Sequence, residues 1–458
     1  LSKLVAKYFS IENLKYFFIA VILMRYTWFV AVPEEYVAIK MVVNVAQGFA
    51  IVWGLAWLVF CSGELHRDWK KSLFYWMFII FYAITLGWVN YFSVVTVGGF
   101  LSYLVYMFVL RRGETDVKFN YLKNKIINFN QFFIFISFIF SCISIVLYFS
   151  GIEIVVTDIL ALGVIGGRFS GVTGSPNKDA ILAAMSIVFV LINLLITKPV
   201  KKIHMILYFL NVVIQLLMLS LGFSRGGILF LILFPVTLCG LIAVQEFIQS
   251  GVTRRFIKVA LLILIIPLGI KLALDFGSSG MRNLENATSR SRNIDQELMG
   301  RSPSADVSSG RFALWTFCGK IVEDNLLGVG FPNIDDKCII ANPGQPLSGI
   351  SAGMHNVFMQ ALVGAGVLGL VATIGILATI LIGLLQIFRS YKLFSHQERT
   401  VVLPLIALIL VLLVYSLYEN GPLFSHNVPS LIFWIYLSFI YSLLNSSKNP
   451  KLIENTQL

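Results

Sequence analysis

The residues best suited to chemistry are few and far apart in the chain. They are Arg168 in RFSGVTGSPN, Arg225 in SRGG, Arg311 in SGRFALW and His355 in HNVFMQ. An imidazole can take a proton from a hydroxyl near neutral pH, and guanidinium forks match the oxygens of a phosphate or diphosphate. Three such arginines beside one histidine point to a bound anion. Metal chemistry has no comparable signature, since the segments holding these residues contain no His pair at i and i+4, no Cys-x-x-Cys and no Asp-x-Asp. The expected metal and cofactor content is therefore none.

Each residue has a plainer reading beside the chemical one. His355 precedes the apolar run NVFMQALVGAGVLGL, so its imidazole either caps a helix or serves as a general base. His426, in SHNVPS, fits a capping or structural role better. A lone outer arginine commonly snorkels to lipid phosphates. Gly226 and Gly227 beside Arg225 would let a ligand approach the backbone, and the glycine-rich loop around Arg168 ends at Pro176 and Asn177.

These residues must be positioned by membrane-spanning elements. Of 458 residues, 58% are apolar and 13% charged, with a mean hydropathy of +0.84. Too few polar side chains remain to cover a water-soluble globule, which excludes a soluble enzyme. Apolar stretches long enough to cross a bilayer lie near 16–32, 36–62, 73–89, 92–110, 131–150, 179–197, 203–222, 226–248, 258–275, 356–388, 401–417 and 428–445. Most of the 35 lysines and arginines fall on alternate connections, including Arg67, Arg111, Lys125, Lys198, Arg254 and Arg389. That face is cytoplasmic by the positive-inside rule. The net charge of +12 thus belongs to membrane topology and not to a nucleic-acid partner. The first apolar stretch contains Arg25 and lacks a small-residue cleavage pattern, so it is expected to be retained as a helix and not removed as a signal peptide.

The expected fold is an all-α polytopic membrane protein of about twelve transmembrane helices, with one long extracytoplasmic loop containing short helices. Residues 1–275 form an N-terminal bundle of about nine helices, 276–354 the long loop, and 355–458 the C-terminal helices and a cytoplasmic tail. Within the loop, RFALWTFCGKIVEDNLLGVGF reads as an amphipathic helix that starts at Arg311 and ends at Gly328 and Gly330. Phe312, Trp315 and Ile321 are its candidates for resting on the membrane. Cys318 and Cys338 either form a bridge or stand as two buried thiols. Gly364 and Gly366 would let the long segment after His355 bend.

Together, the stretches at 168–177, 224–227, 309–315, 326–331 and 355–370 resemble the O-antigen ligase family, which also contains O-antigen and capsule polymerases. They occur in the family's order over most of the chain. The resemblance implies a metal-independent, inverting membrane glycosyltransferase of the cell inner (plasma) membrane. Its active site would face the periplasmic side and take a glycan from an undecaprenyl-diphosphate carrier. It further implies that Arg225 and Arg311 bind the diphosphate, that His355 is the catalytic histidine, and that Arg168, Asn177 and Asn356 are substrate-binding residues. The partners implied are the undecaprenyl-diphosphate-linked glycan, a glycan or lipid A core acceptor, and membrane lipids. One departure is that Phe358 and Met359 follow Val357, where the family commonly has an aromatic residue and a leucine.

Three functions compete at this level: ligation of a glycan to a lipid A core sugar, polymerisation of lipid-linked repeat units, and flipping or transport of a lipid-linked glycan. Transport fits worst, because no internal repeat relates the two halves of the chain and ionisable groups are scarce in the spans.

Overall fold

The computed structural model describes residues 10–27, 37–60, 72–86, 94–114, 118–157, 160–165, 168–197, 202–222, 224–250, 311–334, 354–419, 423, 425 and 427–447. The helices are α1 (Ile11–Tyr26), α2 (Val37–Phe60), α3 (Leu73–Leu86), α4 (Val94–Val105, running into a π turn at Tyr106–Leu110) and α5 (Phe119–Ser150). They continue with α6 (Pro176–Ile196), α7 (Lys202–Gly222), α8 (Arg225–Ser250), α9 (Arg311–Asp324), α10 (Val357–Arg389), α11 (His396–Tyr415) and α12 (Val428–Ser447). Among them, α2, α5, α6, α7, α8, α10, α11 and α12 are the eight long and apolar enough to cross a membrane. Leu73–Leu86 and Val97–Leu110 are apolar but shorter. The crossing expected near 258–275 lies outside the described residues, as do 276–310 and 335–353 of the long loop.

The chain is not helical throughout. Between α5 and α6, strands β1 (Ile154–Thr157), β2 (Leu160–Ile165) and β3 (Arg168–Ser170) form an antiparallel meander in sequence order. Ile154 pairs with Leu162, and Val164 with Phe169. Gly151, at φ 70°, ends α5 and turns the chain toward this sheet.

Local sequence accounts for the main helix ends. Ser395 opens α11 with a capping box, accepting from the Glu398 amide while the Glu398 carboxylate accepts from the Ser395 amide. Pro176 opens α6 at the position where its missing N–H costs nothing. Inside the bundle, where water cannot satisfy polar groups, buried amides and hydroxyls bond across spans. Asn130 on α5 donates to Asn193 on α6 (2.8 Å), which donates to the Tyr208 hydroxyl on α7 (3.1 Å). A parallel set joins Ser141 to Gln215 (2.8 Å), Gln215 to Asn211 (3.1 Å) and Asn211 to Ser186 (3.1 Å). The Tyr436 hydroxyl on α12 also donates to Asn130. Such bonds tie helices together in a medium that supplies no hydrophobic drive between them. α12 and α6 are the most enclosed spans, and α12 buries Trp434 and Tyr436 completely.

α10 is two helices joined at Gly366, whose backbone (φ 70°, ψ −167°) leaves the helical region. At ~1.5 Å per residue, the part from 367 to 389 rises about 34 Å, close to the ~30 Å hydrocarbon core. α11, with 20 residues, returns about 30 Å from the opposite side. The Val357 amide meets the Ser416 carbonyl just past the end of α11 at 2.9 Å. The start of α10 therefore lies beside the end of α11.

Candidate active site

The kink is held by the segment that follows α9. Val329 and Gly330 donate their amides to the carbonyls of Val363 and Gly364, and Val367 donates to the Leu326 carbonyl, all at 2.9–3.0 Å. Gly328, at φ 84°, lies against Gly366 so closely that a Cβ on it would stand 2.4 Å from the Gly366 nitrogen. A Cβ on Gly366 would stand 2.4 Å from the Leu326 oxygen. α9 itself packs Leu314, Cys318 and Ile321 into a small outer core with Val329, Ile334, Met354 and Val363.

This corrects the expectation for α9. Ile321 is buried in that core and does not face the membrane. Trp315 is half-buried and donates its indole N–H to the Met354 carbonyl (2.9 Å). Phe312 is exposed, but on a stripe shared with Thr316, Lys320 and Glu323. The apolar face of the helix is used up on α10, and periodicity alone cannot distinguish a protein-facing stripe from a lipid-facing one. The helix also stops at Asp324, before the glycines, because Gly328 and Gly330 adopt positive φ in the pairing segment. Cys318 is a wholly buried thiol with its sulfur 2.8 Å from that of Met354; Cys338 lies outside the described residues.

Met354 anchors the approach to His355. Its amide donates to the Gln360 side chain (3.1 Å) and its carbonyl accepts from Trp315. His355 then takes φ 47°, among the described residues the single non-glycine residue in the left-handed region. Asn356 caps α10, its Oδ1 accepting from the amides of Phe358 (2.9 Å) and Met359 (3.1 Å) and its Nδ2 donating to the Leu417 carbonyl (3.2 Å). The capping role thus falls to Asn356, and the imidazole is turned elsewhere.

It is turned to Glu419. The His355 Nδ1 and Glu419 Oε2 are 2.8 Å apart, while the Arg311 guanidinium donates to Glu419 Oε1, also at 2.8 Å. One carboxylate therefore joins the first residue of α9 to the residue preceding the α10 cap. All three side chains are partly buried, between 17% and 23% exposed. A carboxylate only accepts, so Nδ1 is the donor in this contact, and Nε2 is the ring nitrogen that does not face Glu419. Arg311 has five N–H donors, and Glu419 uses one. Glu419 had no signal beyond being the lone acid in the short connection between α11 and α12.

Arg225 is the first residue of α8 and is exposed. Its neighbour Ser224 donates to the Asn177 Oδ1 at the start of α6 (3.1 Å), so the SRGG turn and the end of the RFSGVTGSPN loop meet. That loop is fastened below by Asp179, which accepts from the Gly171 amide (2.7 Å), and by Ser144, which accepts from the Val172 amide (2.9 Å). Gly227 packs directly on Ala180, where a Cβ would be 2.9 Å from the Ala180 oxygen, so it serves helix packing and not ligand approach. A Cβ on Gly226 would meet the Tyr415 ring at an ordinary 3.7 Å, and the Glu419 amide donates to the Tyr415 carbonyl (3.0 Å). The start of α8 thus packs against the end of α11, the helix that leads into the Glu419 turn. Arg168 lies in β3, and its side chain and His426 fall outside the described residues.

The fold and this cluster define a polytopic, mostly helical integral membrane protein with an imidazole, a carboxylate and a guanidinium gathered where α9, the start of α10 and the end of α11 meet. Residues 210–374 match the family model described as O-antigen ligase, the family its motifs resemble. The matched stretch takes in Arg225, Arg311, His355 and Asn356, and it supports a membrane enzyme with a glycosyltransferase-like role. No curated protein matches the chain.

Proposed function

We propose that this protein transfers a glycan from an undecaprenyl-diphosphate carrier to an acceptor hydroxyl at the periplasmic face of the inner membrane, in the manner of an O-antigen ligase. The observation that carries the reading is the Glu419 carboxylate bridging Arg311 and His355. In the reaction, the acceptor oxygen attacks the anomeric carbon and its proton passes to His355 Nε2. The bond from that carbon to the diphosphate oxygen breaks, and undecaprenyl diphosphate leaves with the electron pair. Arg311 and Arg225 offset the charge that develops on the leaving group, and the N-terminus of α8 adds its own positive end at Arg225. Glu419 holds the Nδ1–H tautomer and stabilises the imidazolium as it forms. Attack opposite the leaving group inverts the anomeric carbon. The twelve-span topology with cytoplasmic termini belongs to this reading, as do the division at 275 and 354 and substrate contacts from Arg168, Asn177 and Asn356.

The acceptor is a lipid A core sugar in the favoured reading; a second lipid-linked repeat unit would make the same chemistry a polymerase. Purified protein in detergent, given a synthetic lipid-linked repeat with and without lipid A core acceptor, tests the proposal. Ligation predicts release of undecaprenyl diphosphate that depends on the core acceptor. Release without it, with lengthened chains, would establish polymerisation. Movement of intact donor across a vesicle without release would leave only transport.

A further inference from the structure

We infer that the turn after α9 is a membrane seat, with Leu326 and Leu327 inserted among the acyl chains of outer-leaflet lipids beside the outer end of α10. Both side chains are largely exposed, 62% and 59% respectively. They adjoin a second exposed apolar surface: Val367, Leu368, Val371 and Ile374 follow one flank of α10 at helical spacing. The two surfaces are continuous, because the Leu326 carbonyl accepts from the Val367 amide at 3.0 Å and the Leu327 Cα lies 2.6 Å from where a Gly366 Cβ would stand.

The height of the patch fits a lipid partner. The helix below Gly366 is long enough to cross the hydrocarbon core, so the Leu326–Leu327 turn sits where acyl chains give way to headgroups. Polar residues mark the side that faces water, since the exposed stripe of α9 carries Thr316, Lys320 and Glu323. A spanning helix gives its unpacked flank to lipid, and the leucine turn extends that flank without a break. The seat rests on α10 crossing the membrane and is independent of the transfer chemistry. It fixes the far end of α9 to the bilayer while the Arg311 end meets Glu419.

The test is spin labelling of Leu327→Cys in the full chain, with the five native cysteines replaced by alanine, in nanodiscs of phosphatidylethanolamine and phosphatidylglycerol. Ile374→Cys and Glu323→Cys serve as references. The label at 327 is expected to collide with oxygen in preference to a water-soluble nickel chelate, as the label at 374 does and the label at 323 does not. Nickel access equal to that at 323 would overturn the seat, and spin–spin broadening between copies would replace it with self-association. A water-exposed label at 374 would overturn the crossing of α10 and the seat with it. Benzoylphenylalanine at position 327 in the otherwise native chain gives a second reading. Phospholipid adducts are expected, and adducts confined to protein would again overturn the seat.

Discussion

Glu419 lies 2.8 Å from the Nδ1 of His355, although 64 positions separate them and no motif links them. The contact exists because the Asn356 cap and the Val357 amide bind the 416–419 turn from one side. The carboxylate can then orient the ring that the left-handed backbone at His355 presents.

Glu419→Gln keeps the size of the side chain and removes its charge. Turnover of lipid-linked donor should fall by about 100-fold or more, toward the ~10⁴-fold seen when a triad carboxylate becomes an amide and the wrong imidazole tautomer is held. The KM for donor should change little. A loss confined to KM would assign Glu419 to binding.

His355→Ala should lower the chemical step by about 100-fold or more, the size expected for a missing general base, and leave donor binding largely intact. His426→Ala should have a much smaller effect. Single-turnover release of undecaprenyl diphosphate measures both, and equal rates in the two variants would return His355 to a structural role.

Arg311→Lys retains a cation that can still reach Glu419, so His355 should stay oriented. What is lost is the planar fork on the diphosphate, and kcat/KM should drop about tenfold or more, the size of one charged hydrogen bond at ~1.5 kcal/mol. Arg225→Lys should behave similarly. Full activity in both variants would count against a shared diphosphate site.

Gly366→Ala places a Cβ in a left-handed backbone and 2.4 Å from the Leu326 oxygen. We expect a stability loss of more than about 2 kcal/mol, seen as a lowered melting temperature in detergent. Gly48→Ala, in α2 with nothing within 4 Å of the added carbon, should be neutral or slightly stabilising. Matching melts for the two variants would refute the strained joint.

Eight of the expected spans were legible because a bilayer demands long apolar runs; Leu73–Leu86 and Val97–Leu110 are apolar but shorter, and Ile11–Tyr26 is helical without belonging to either group. Arg311 at the start of α9 and the bend at Gly366 were legible too, the first from apolar periodicity and the second from glycine in a run longer than one crossing. Ile321 was misassigned because spacing gives a face but not its neighbour. The β meander was hidden in GIEIVVTDILALGVIGGRFS, where β-branched residues in an apolar chain do not distinguish strand from helix or loop. Glu419 stayed hidden because its importance comes from two side chains distant in sequence. Asn356 was expected to bind substrate by resemblance; the part the structure shows, clamping the α10 start to the 416–419 turn, needed the tertiary contact.

The back-to-back glycines at 328 and 366 bear on how this protein can diversify. With three backbone hydrogen bonds they rivet the strip after α9 to α10, so Arg311 and His355 are mounted on one chassis. In the proposed reaction this rivet would keep cation and base in register, so changes that retune acceptor choice would be tolerated wherever they leave the paired glycines and their three backbone bonds intact.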